Sequence, residues 1–174
     1  MLCGIDPSPA MKFLLTAVVS LICLNSCVFE APFDAEAKIA TEPKLLGRWE
    51  NVTKQTAGAP ERMLVLQHSA NEYIVQYPAG DKAMFFRAYA VELEGSRYIQ
   101  IQLLGTAEGP VKPEERKYHL LKVSVAGDSL EMRTIDPEVL GNDHRDSSQL
   151  KAVFAKLKDD PKLFDEPVKF TRIP

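Results

Sequence analysis

From Leu45 onward the chain is written in short β-type runs cut by turn residues, and this rhythm constrains the fold more than any other feature. Leu46 to Val52 is the first run, followed by a loop from Thr53 to Pro60. Arg62 to His68 is the second, and Ser69-Ala70-Asn71 turns the chain into Glu72 to Tyr77. Pro78 and Gly80-Asp81 end that third run. Lys82 to Leu93 is a long fourth, and Glu94-Gly95-Ser96 predicts a hairpin into Arg97 to Leu104. Gly105 to Glu115 holds Gly109, Pro110 and Pro113 and reads as a loop long enough to cover an opening. Arg116 to Val125 and Ser129 to Ile135 are joined by Ala126-Gly127-Asp128. Connections this short join antiparallel neighbours, because parallel strands need a long crossover.

Alternation within the runs assigns faces. Ile99, Ile101 and Leu103 share one side of the fifth run, with Gln100 and Gln102 on the other. Leu121, Val123 and Val125 share a side with His119. Leu130 and Met132 face away from Glu131 and Arg133. One dry and one wet face is the behaviour of antiparallel strands around a core. The fourth run departs from it: Met84, Phe85 and Phe86 are consecutive, so both faces are apolar there and a helix is expected to cover the outer one.

Helical signals follow. Asp136-Pro137-Glu138 predicts a short capped turn to Leu140, closed by Gly141-Asn142. Ser147 or Ser148 is the expected cap of a stronger helix running to about Lys158. Its apolar stripe is Leu150, Val153, Phe154 and Leu157. Val168 to Ile173 is a final strand.

Composition narrows the function. The 174 residues are 45% hydrophobic and 26% charged, enough for one packed domain, and the net charge of −3 leaves no basic excess to hold nucleic acid. The cysteines are Cys3, Cys23 and Cys27, so a domain starting after them has no disulfide, thiol catalyst or cysteine metal site.

The N-terminus carries a targeting signal. Met11-Lys12 supplies a positive charge, and Phe13 to Leu24 is an apolar run about a dozen residues long. That is the secretory pattern and too short for a spanning helix. The signal starts more naturally at Met11 than at Met1, since the first ten residues carry Asp6, Pro7 and Pro9 and no base. Leu24-Asn25-Ser26-Cys27 resembles the lipobox of bacterial lipoproteins, with Asn25 departing from the usual small or apolar residue. The resemblance implies that residues 1–26 are removed and that Cys27 is acylated. It also implies that residues 27–44 form a lipidated tether, holding residues 45–174 at the bacterial envelope. Val28 after the cysteine implies the periplasmic face of the outer membrane. Two or more acyl chains are what stable anchoring needs.

Many antiparallel strands, then a helix, then a last strand, resemble the lipocalin or wider calycin plan. Gly47-Arg48-Trp49 matches that family's Gly-x-Trp motif, while its Thr-Asp-Tyr motif and usual disulfides are absent. The resemblance implies an antiparallel up-and-down β-barrel with the helix packed outside. It also implies a basic residue late in the barrel, here Arg172, lying across Trp49 as a structural lock. A guanidinium on an indole contributes roughly 0.5–2 kcal/mol.

Candidate chemistry is sparse. No nucleophile elbow, phosphate loop or paired-carboxylate motif is present, so the chain reads as no enzyme and as needing no cofactor. Of the three histidines, His68 reads as a solvated strand end and His144 as part of a charged loop, with no metal site implied. His119 shares an apolar face and either orients a ligand inside the barrel or is a hydrogen-bonded histidine at its rim. His119, Tyr89 and Met132 are the candidate ligand contacts. The leading expectation is a membrane-anchored envelope lipoprotein whose barrel binds a small apolar or amphipathic ligand. The alternative is a filled barrel that contacts other envelope proteins, with Met84 to Phe86 as a contact patch.

Overall fold

The computed structural model describes residues 29–53, 60–141, 144 and 146–174. The segment of residues 24–27 that resembles a lipobox, the centre of the loop between the first two strands, and Asn142, Asp143 and Arg145 lie outside the described residues.

Among the described residues nine strands form one sheet: β1 (Gly47–Asn51), β2 (Arg62–Gln67), β3 (Tyr73–Gln76), β4 (Met84–Leu93), β5 (Ser96–Thr106), β6 (Gly109–Pro110), β7 (Tyr118–Ala126), β8 (Ser129–Thr134) and β9 (Val168–Ile173). Every pairing is antiparallel. Eight strands follow the chain around the ring, β9 returns to β1, and β4 pairing with β5 closes it, with β6 outside. This is an up-and-down barrel, and closure leaves the eight ring strands without an open edge. Among the described residues no helix is long and apolar enough to cross a membrane.

Two buried clusters sit on opposite sides of the barrel wall. Trp49, Met63, Val65, Tyr73, Ala88, Leu130 and Phe170 face inward. Tyr89, Val91, Leu93, Tyr98 and Leu120 face outward, yet are buried. Besides Leu163 and Phe164, their cover comes from two places. α1 (Pro137–Leu140) and α2 (Ser147–Leu157) supply Leu140, Leu150 and Phe154. Asp136 caps α1, as expected, by accepting from the Glu138 N–H at 2.8 Å. Asp146, not a serine, caps α2: its carboxylate accepts from the Gln149 N–H at 2.9 Å and from the Ser148 hydroxyl at 2.6 Å.

The second cover is the segment expected to be a free tether. Phe29 and Phe33 are fully buried. Phe29 exchanges backbone hydrogen bonds with Tyr118, at 2.9 and 3.0 Å. Phe33 packs edge-on against Phe29 and Phe154. Further on, Asn71 donates to the Ala37 carbonyl and the Thr41 N–H to the Ala70 carbonyl. Residues 29–42 are therefore a strap bolted down the outside of the barrel. Burial of the two phenylalanines and the hydrogen bonds to Tyr118, Gln100, Asn71 and Ala70 together offset the chain entropy lost in ordering the strap.

The strap also explains why the outward Gln100 is fully buried, where alternation predicted a wet face. Its side-chain carbonyl accepts from the Phe33 N–H at 2.6 Å, and its amide donates to the Asp34 carbonyl and the Tyr89 hydroxyl. Tyr89 in turn donates to the Asp34 carbonyl at 2.6 Å. A buried amide is tolerated only when its polar atoms are paired this way.

The cover of β4 differs from the expectation as well. Met84 and Phe86 point into the barrel, so only Phe85 of that trio lies outside, half-buried. The helix lies over the far end of β4 and β5, where Phe154 meets Tyr98 and Lys158 meets Glu94. Between Phe85 and Phe86 a register shift places Leu104 opposite no partner and bends β5. The expected lid loop is short: β5 runs on to Thr106 and β6 folds back on it, with the Val111 N–H bonded to the Leu104 carbonyl. A Cβ at Gly105 would come within 2.9 Å of the Gly109 carbonyl, so only glycine lets that hairpin close.

Candidate functional site: an apolar cavity with an acidic mouth

Inward-facing side chains do not fill the barrel. They enclose a cavity of about 1020 Å³. Its wall is built by alternation, with Val65, Val75, Ala88, Ile99, Ile101, Leu121 and Val123 all on the inner sides of their strands. Met63, Met84 and Met132 also line it, three of the chain's five methionines. Unbranched thioethers adapt to irregular shapes, so this part of the wall is deformable.

One end is shut. Trp49 is fully buried, and its indole N–H donates to the Leu45 carbonyl at 3.0 Å, which sets Leu45 at the base of the cavity. The Arg172 guanidinium lies 4.2 Å from the Trp49 ring centroid and donates to the Leu46 and Lys44 carbonyls at 2.6 and 2.7 Å. Beside it Glu42 pairs with Lys44 at 2.8 Å and Arg97 at 2.6 Å, and these two cations hold its carboxyl below the usual range.

The other end is the mouth. Glu30, Thr106, Glu115, Lys117, Thr134 and Asp165 line it. Lys117 is tied to Glu30 at 3.0 Å, and Glu115 pairs with Lys112 at 3.7 Å. Burial, and then the nearby Asp136, push the Asp165 carboxyl up. Tyr77, also on the wall, donates to Glu61 at 2.5 Å and accepts from the Asn51 amide at 3.2 Å. Burial and the glutamate push its phenol up to about 12.

His119 lies on the cavity wall, one inward position below Lys117. Burial pulls its pKa down to about 4, so the ring is neutral at physiological pH. Among the described residues no hydrogen bond reaches its ring nitrogens. A neutral imidazole offers one donor and one acceptor. Met132 is on the wall too, opposite Val123. Tyr89 is not: it faces outward, under the strap, because it falls on the odd positions of β4 while Met84, Phe86 and Ala88 point in. Burial raises its phenol to about 12.

The remaining candidates lie elsewhere. His68 is exposed just after β2, and the His144 ring contacts the Leu140 carbonyl at 3.0 Å. Among the described residues no group of His, Cys, Asp and Glu is placed to hold a metal ion. The mouth residues Glu30, Glu115 and Asp165 carry no motif. They come from the strap, a turn and the segment before β9, which only closure of the barrel brings together. No protein-family model, curated protein or solved structure matches this chain.

Proposed function

We propose that this chain is an envelope lipoprotein, anchored through acylated Cys27, whose barrel binds a small apolar or amphipathic molecule. The observation that carries the reading is the dead-ended apolar cavity. Its volume of about 1020 Å³ is at the upper end of ordinary ligand sites, which span roughly 300–1,000 Å³. An interior that served only as a core would be filled, because voids forfeit packing energy. The cavity therefore favours a binder over the filled-barrel contact module. Met84 and Phe86, which that module would have used as a patch, are turned inward.

The ligand's apolar body would lie among the aliphatic and methionine side chains. One uncharged polar group would reach His119 near the mouth. The role is binding or carriage, with no covalent step and no cofactor.

The test is native mass spectrometry of residues 29–174 purified from cells, compared with a denatured sample. Extra mass that leaves on denaturation supports the reading. Bare protein that also fails to take up mass from a lipid extract overturns it and moves the assignment to a contact module.

A further inference from the structure

Two features lie at the same end of the molecule. The first is the mouth, marked by Glu30, Lys117 and Thr134. The second is the start of the strap, where Phe29 is fixed to Tyr118 at the beginning of β7 by two backbone hydrogen bonds. Glu30, the next residue, itself lines the mouth. Cys27 precedes Phe29 by two residues, a span of at most about 7 Å. The shut end, at Trp49 and Arg172, is roughly 25 Å further along the barrel axis. That follows from ten residues of β4 at about 3.3 Å each, inclined by about 40°.

A free tether of residues 27–44 would reach on the order of 60 Å and fix no orientation. The bolted strap removes that freedom. We propose that acylated Cys27 holds the mouth of the cavity against the bilayer, so that the ligand is a membrane-dissolved amphiphile passing directly between lipid and barrel. The mouth's chemistry suits such a surface: Asp165 and the Lys112–Glu115 and Lys117–Glu30 ion pairs offer both signs of charge to zwitterionic headgroups. This rests on the anchored, ligand-binding reading above.

The test uses the full lipidated chain in vesicles of phosphatidylethanolamine and phosphatidylcholine. Single cysteines at exposed positions carry a fluorophore: Glu108→Cys in the hairpin beside the mouth, and Ser96→Cys at the shut end. A nitroxide on the lipid headgroup is expected to quench the Glu108→Cys label at least threefold more than the Ser96→Cys label. Equal or reversed quenching overturns the proposal. A second variant inserts twenty glycine and serine residues between Val28 and Phe29. It is expected to abolish the difference and to slow filling of the cavity by a fluorescent fatty alcohol from the same vesicles at least fivefold. An unchanged filling rate overturns direct transfer. A chain that does not float with the vesicles overturns the anchor and the proposal together. Correctly ordered quenching with no probe uptake upholds the orientation and overturns the binding reading instead.

Discussion

The guanidinium of Arg172 lies 4.2 Å from the ring centroid of Trp49, and the residue that lets it do so is Gly47. Gly47 has φ +120°, and a Cβ there would stand 2.7 Å from Arg172 Nη1. The two ends of the barrel sequence are thus fastened at its base, where β1 and β9 also pair, Trp49 opposite Arg172.

Arg172→Ala removes the cation–π contact and two donors to the Leu46 and Lys44 carbonyls. A loss of about 2 kcal/mol is expected, read as a lower denaturation midpoint, with ligand affinity within threefold of the parent. Lost binding at unaltered stability would reassign Arg172 to the ligand site. Gly47→Ala should be at least as damaging, because it adds backbone strain to the clash.

His119 should make the fold acid-sensitive. Its pKa is about 4 folded against 6.5 for the ordinary side chain. Above 6.5 both states are neutral and the residue contributes no pH dependence. Below it the unfolded chain gains a proton that the folded one refuses, so stability falls as pH drops from 6.5 to 4. The loss is on the order of 3 kcal/mol. Urea titrations across that window should show a flatter profile for His119→Leu; parallel profiles would mean that the ring is solvated.

Val123→Phe directs extra volume into the cavity. Since space is available, the melting temperature should move by only a few degrees, while affinity for an apolar fluorescent probe drops at least about tenfold, or 1.4 kcal/mol. Undiminished affinity would place the probe elsewhere.

Charge should select among amphiphiles of one chain length. At the mouth Lys117 is engaged by Glu30 and Glu115 by Lys112, Asp165 adds a carboxylate, and the inward Arg172 is engaged by carbonyls. A fatty alcohol is expected to bind about tenfold more tightly than the matching carboxylate at pH 8. Competition against a fluorescent probe measures this, and a preference for the acid would show that a cation is free at the site.

Gln100→Leu should loosen the strap. It leaves the buried Phe33 N–H without its acceptor, at a cost of about 1–3 kcal/mol. Limited proteolysis should then cut within residues 35–42 faster than in the parent; equal cutting rates would mean the phenylalanines alone hold the segment.

The sequence by itself determined the barrel and its inner face. Ile99, Ile101, His119, Leu121, Val123, Leu130 and Met132 all point inward where alternation put them, because a pleated strand has a period of two whatever surrounds it. Gly47, Trp49 and Arg172 were legible for a similar reason, being a short motif and a face assignment. Tertiary structure decided what covers the outside and whether the inside is full. Nothing local tells Phe29 and Phe33 that Gln100, Tyr89 and Phe154 await them, so an anchored strap looked like a tether. Tyr89 was misplaced for that reason: an apolar residue on either face of β4 reads alike until its cover is known. The acidic mouth assembles only when the strap, the turn before β7 and the segment before β9 converge. The cavity's volume depends on the separation of opposite walls, a quantity set by ring closure and not by any one strand.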